Sequence, residues 1–285
     1  MQFLPVARAS LIIVFGLSSS AVLGYSCSSG WAYYDKSCYY VSLDEDFAGF
    51  DSAKDSCGHK DAYLAEVNSE QENDFLKDWL QNEITESDDV EGVWLGAWAK
   101  PWSSFTWDNS KDYLPFHDWA WPKPAGVQNG KAIMMDPATA YQWRSQYRSK
   151  VTKMLYLCEA CALERKCFNN SCYRLHCKTA DQSTRTTNCA LDGENGSVAK
   201  LDSQEERDFV KTFLEGGNDE VKAVFVAASD DYRRALGLIN GNPCMVLRPS
   251  KDGWYDETDE FCTKQGAYLC EFDRPKANKT DDIHG

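Results

Sequence analysis

Cys158 and Cys161 stand two residues apart in Cys158-Glu159-Ala160-Cys161, with His176-Cys177 downstream, a spacing that could support reactive chemistry. As thiolates such a pair is a redox couple, and with two further donors it is a zinc site. The competing use is structural. The chain has 12 cysteines, an even number that can all be paired, so one can close a folded unit and the next open another. The acidic run Glu83, Glu86, Asp88, Asp89 and Glu91 could attract a cation, but it lacks the spacing of a calcium loop and reads as a solvated loop. His59, His117, His176 and His284 form no His-Glu-x-x-His pair, and no Gly-x-Ser-x-Gly turn occurs, so catalysis is not expected.

These residues sit in a string that occurs twice. The first copy runs Ser37-Cys38-Tyr39, Cys57, Ala65 to Glu72, then Leu157-Cys158-Glu159; the second runs Ser171-Cys172-Tyr173, Cys189, Ala199 to Glu206, then Leu269-Cys270-Glu271. A period near 130 residues is too long for a solenoid unit, so each copy is expected to be a whole domain. Ser69 and Glu72 make a Ser-x-x-Glu capping box before Phe75, Leu76 and Trp79, and Ser203 and Glu206 repeat it before Phe209, Val210 and Phe213. An earlier helix is expected to end near Cys57, with Phe47, Phe50 and Ala53 facing inward; its counterpart near Cys189 is less defined. Val93 to Gly96 and Phe105 to Trp107 read as short strands, which makes the class α+β.

Residues 1–24 read as a secretory signal peptide: Arg8, an apolar stretch from Leu11 to Leu17, and small residues to Gly24. No second apolar run follows, so neither a transmembrane helix nor a lipid anchor is expected, and 274–285 is a polar tail. The many cysteines then imply an oxidising, extracellular setting. Asn169, Asn195 and Asn278 each begin a glycosylation sequon. Net charge is −14, or −15 once Arg8 leaves with the leader, which disfavours nucleic acid and anionic membranes as partners.

The ordered marks Cys27, Trp31, Ser37-Cys38-Tyr39, Ala53, Cys57, the capped helix, Trp94-Leu95-Gly96-Ala97, Trp107, Trp119, Pro124, Trp143 and Leu157-Cys158-Glu159 resemble the C-type lectin-like domain in its long form. The resemblance implies two tandem domains, at 25–159 and 160–273, and the pairing Cys27–Cys38, Cys57–Cys158, Cys161–Cys172, Cys189–Cys270 and Cys244–Cys262; Cys167 and Cys177 remain for each other. In the family's sugar-binding members one calcium ion is held by a Glu-Pro-Asn or Gln-Pro-Asp triplet and a Trp-Asn-Asp triplet. Here those positions read Lys123-Pro124-Ala125 and Trp143-Arg144-Ser145, so no metal cofactor is expected.

The second copy is shorter: 61 positions separate Phe209 from Cys270, against 83 from Phe75 to Cys158. Its Asp256, Glu257, Asp259 and Glu260 could hold a cation weakly or form a solvated strand edge. Nine of the 10 tryptophans lie in the first copy, and Trp98, Trp102 and Trp121 exceed the family's core positions and sit beside turns. With Lys123 and Arg144 they form the candidate ligand surface. The expected function is non-catalytic, calcium-independent recognition of a glycan or protein, in a setting such as innate immunity. A calcium-dependent lectin and a structural scaffold are the alternatives.

Overall fold

The computed structural model describes residues 27–85, 88–124, 128–162, 165–215, 221–228, 244–250, 253–260 and 266–274, with the backbone alone at Cys244 and 253–260. The expected signal peptide, Cys262 with the Cys244–Cys262 bridge, and the sequon at Asn278 lie outside that description.

The first half holds β1 (Ala32–Tyr34), β2 (Ser37–Val41), α1 (Phe50–His59), β3 (Tyr63–Leu64), α2 (Glu70–Glu83), β4 (Gly92–Ala99), β5 (Phe105–Trp107), β6 (Lys131–Asp136), β7 (Gln142–Tyr147) and β8 (Met154–Cys161). The second holds β9 (Lys166–Phe168), β10 (Ser171–Ala180), α3 (Gln182–Asp192), β11 (Ser197–Val198), α4 (Gln204–Glu215), β12 (Val224–Ala227), β13 (Cys244–Ser250), β14 (Gly253–Glu260) and β15 (Gly266–Asp273). The two sheets share one strand order. The first runs β1-β2-β8-β4-β6-β7, and the second β9-β10-β15-β12-β13-β14. In each, one central pair is parallel, β4 with β8 and β12 with β15. The first half also has strand β5, paired to β4, which has no counterpart among the described residues of the second.

The repeated string proves to be one hydrogen-bonded network built twice. Glu159 is fully buried and accepts from the Ser37 hydroxyl (2.8 Å) and the Glu66 N–H (3.1 Å). Glu271 accepts from the Ser171 hydroxyl (2.5 Å) and the Lys200 N–H (3.3 Å). A buried carboxylate is costly unless its lone pairs are filled, which explains why the Ser and the Glu recur together. The capping boxes form as expected: Ser69 accepts from the Glu72 N–H (3.2 Å) and Ser203 from the Glu206 N–H (3.1 Å). Each Glu also reaches back one residue beyond the cap, to Asn68 (2.8 Å) and Asp202 (2.8 Å). Its other oxygen takes the tyrosine hydroxyl of the Ser-Cys-Tyr string, Tyr39 for Glu72 and Tyr173 for Glu206.

Two helix expectations are adjusted. Phe50, Ala53 and Cys57 are the buried face of α1, but Phe47 precedes the helix and is exposed. The fully buried face of α2 is Leu76 and Leu80, while Phe75 and Trp79 are half-buried.

Disulfides join Cys27 to Cys38, Cys57 to Cys158 and Cys189 to Cys270. The expected Cys161–Cys172 and Cys167–Cys177 pairs are replaced by Cys161–Cys177 and Cys167–Cys172. Strand register is the reason. In the first half Tyr33 faces Cys38 across β1 and β2, so Cys38 turns to Cys27. In the second half Cys167 stands directly opposite Cys172 across β9 and β10, and Cys161 is left to meet Cys177 on β10.

Candidate functional site

The long excursion between β5 and β6 is tied down from below. Trp143 at the start of β7 is fully buried, and its ring meets Trp107, Phe116 and Trp119 edge-on at 5.7–6.1 Å. Its indole N–H donates to Asn73 of α2 (2.9 Å), and the Asn73 amide donates to Asp118 (3.2 Å). Asp118 also accepts from Lys77 (2.8 Å) and Gln142 (3.1 Å). Burial alone would raise the Asp118 carboxyl, but the bonds from Lys77, Gln142 and Asn73 outweigh it and hold the group below its ordinary value. Backbone bonds from Trp143 to Asp118 (2.7 Å) and from Ala120 to Trp143 (2.9 Å) complete the anchor. The chain then emerges at Trp121.

Of the expected surface, Trp102 is 83% exposed and Trp121 85% exposed. Lys123 and Arg144 are exposed as well. Trp102 has φ 62°, and its N–H donates to the Asn129 side chain (2.8 Å), while the Ser145 hydroxyl donates to Gln128 (3.0 Å). Residues 128–129 therefore join the Trp102 turn to β7 beside Arg144. Arg144 pairs with Asp136 (2.8 Å), whose other oxygen accepts the Ala138 N–H (2.8 Å).

Trp98 does not belong to this surface. It lies inside β4, not on a turn, and is half-buried. Its indole donates to Asp108 (2.9 Å), and the Arg148 guanidinium covers its ring at 4.2 Å. Adjacent Pro101 and Trp102 made it read as loop, whereas pairing with Ala132 of β6 extends the strand. Sequence reasoning missed Tyr147, which is exposed at the end of β7 with Lys131 over its ring at 5.3 Å. The period-two alternation of β7 puts it on the face of buried Trp143 and Ser145, so its exposure comes from its place at the strand end and had no signal in the pattern.

The remaining candidates have plain surroundings. Cys158 and Cys161 are both in disulfides, so the Cys-x-x-Cys spacing supplies no thiolate for redox or zinc chemistry. In the acidic run, Asp89 pairs with Lys153 (2.8 Å) and Glu91 with Lys150 (2.7 Å); Glu86 lies outside the described residues. The side chains of Asp256, Glu257, Asp259 and Glu260 also lie outside them. Asn169 and Asn195 are exposed in turns. Among the described residues no helix is long and apolar enough to cross a membrane.

Residues 48–160 match the model of the lectin C-type domain. Human early activation antigen CD69 is 30% identical over 94 residues, which are 33% of this chain and 41% of that protein. Snaclec A10 of Macrovipera lebetinus is 29% identical over 91 residues, 32% of this chain and 58% of its own. The chain thus spans less than two thirds of the length of these curated relatives. Among solved structures, human lithostathine is 22% identical and covers 47% of this chain and 90% of its own, with a TM-score of 0.42.

Proposed function

Since the chain contains a C-type lectin-like domain over residues 48–160, we propose that it is a secreted, non-catalytic recognition protein that binds a glycan or protein ligand without calcium. Its two domains would be 25–159 and 160–273; what supports this is the shared strand order of the sheets and the duplicated Ser, Tyr and Glu network. Five disulfides among the described residues favour an extracellular setting. Innate immune recognition is the setting we propose, on family association.

The calcium-free reading rests on donor chemistry. Calcium takes six to eight oxygens, several from carboxylates. At the two positions in question the chain presents Lys123, in a loop, and Arg144, on β7; the nearby Asp136 is committed to Arg144, and Ser145 and Gln128 bond one another. That set does not fit the ion.

The observation that carries the proposal is the exposure of Trp102 and Trp121, Trp102 held by Asn129 and Trp121 following directly on Ala120, which is bonded to buried Trp143. Exposed indoles offer flat faces for stacking on sugar C–H groups or for seating in a protein partner. Trp102→Ala combined with Trp121→Ala is expected to weaken binding of glycan-array hits at least tenfold, about 1.4 kcal/mol or more, with the thermal midpoint unchanged. Undiminished affinity for every ligand in the folded double variant sinks the proposed surface.

A further inference from the structure

The two halves meet at a buried histidine. His176 of β10 is 4% exposed, and both of its ring nitrogens face carboxylates. Nδ1 lies 2.9 Å from Asp61, which follows α1 in the first half, and Nε2 lies 2.7 Å from Asp192, which closes α3 in the second. Its ring stacks on Tyr268 of β15 at 4.7 Å, with planes 1° apart. Arg174, two positions earlier on the same strand, reaches the other oxygens of Asp61 (3.4 Å) and Asp192 (3.2 Å). Cys270 also lies near His176 and Asp192, but it is bonded to Cys189 and supplies no thiolate there.

A neutral imidazole has one N–H and one lone pair. Between two carboxylates the lone pair would face an anionic oxygen, so only the imidazolium makes both bonds. We propose that His176 is a charged clasp that fixes how the two halves sit together, and that the hold of this clasp depends on its proton.

Burial pushes the imidazole down, but the hydrogen bonds and charges of Asp192 and Asp61 outweigh burial and raise it to about 9. The folded value exceeds the unfolded one of about 6.5. The contribution is therefore complete below about 6.5 and is lost as pH rises through about 9. Among the described residues, the other charged or titratable groups around the clasp are Arg174, Lys60, Arg165 and Tyr268. Lys60 is committed to Glu45 (2.6 Å), and the Tyr268 hydroxyl is pushed up to about 12, so it stays neutral in this window. Contacts independent of pH persist beside the clasp: Tyr63 lies in the apolar cluster of the second half, and the Asn109 side chain accepts the Thr179 N–H (2.7 Å). Deprotonation therefore loosens one point of a joint that stays assembled.

The test is imidazole titration by NMR in the full chain, beside denaturant midpoints for the parent, His176→Gln and Asp61→Asn. Asp61 has φ 56°, a conformation asparagine tolerates, so the second variant keeps the fold and removes one carboxylate from the opposite half. We expect His176 to titrate near 9 and Asp61→Asn to lower that midpoint by at least one unit, tenfold in proton affinity. The gap in denaturant midpoint between the parent and His176→Gln is expected to be widest at about pH 6 and to have closed by about pH 10. A midpoint at or below about 6.5, one that Asp61→Asn leaves unmoved, or a stability gap equal at both pH values overturns the proposal.

Discussion

Replacing Cys57 and Cys158 together with Ala is expected to cost the first half about 4–5 kcal/mol, most of a small domain's stability. The bridge spans 101 positions, so in the unfolded chain it removes the freedom of a very long loop. Both sulfurs lie in the apolar cluster between α1 and β8, with both cysteines fully buried. The same logic applies to Cys189–Cys270, which spans 81 positions in the second half. Denaturant unfolding followed by tryptophan emission reads the first half nearly alone, since nine of 10 tryptophans lie there. A loss below about 1 kcal/mol would mean that α1 and β8 are held by packing and not by the cross-link.

Trp143→Ala is the second large effect, at about 3–5 kcal/mol. The indole fills the space between Trp107, Phe116 and Trp119, and Ala would leave a cavity that three rigid rings cannot close. It would also strip Asn73 of its donor, in a site where an unfilled polar group costs about 1–3 kcal/mol. Trp143→Phe separates the two: it keeps most of the packing and loses the hydrogen bond. Equal losses for Phe and Ala in equilibrium unfolding would show that the Asn73 bond, and not the aromatic cluster, anchors the loop.

The parts of this fold legible in the sequence are those whose cause is local. Ser69 with Glu72 and Ser203 with Glu206 announce α2 and α4 because a capping box is written in four consecutive residues. The resemblance implies Cys161–Cys172 and leaves Cys167 for Cys177, and the structure pairs them otherwise, because strand register chooses among four cysteines close in sequence. The exposure of Trp102 and Trp121 followed from their places beside Pro101 and Pro122, and the burial of Trp98 did not, because it depends on Asp108 and Arg148 arriving from other segments. Asp61 and His176 are 115 positions apart, and nothing near either residue points to the other. Asn73 and Asp118 escaped notice for the same reason, since each is an ordinary polar residue until Trp143 is buried between them.

Glycan-array binding of the full chain, with calcium and with EDTA, tests the proposed calcium-independent recognition by the first half most directly. The same bound glycans with the same intensities are expected in both conditions, because Lys123, Arg144 and Ser145 offer calcium no carboxylate. Binding that EDTA abolishes would contradict it.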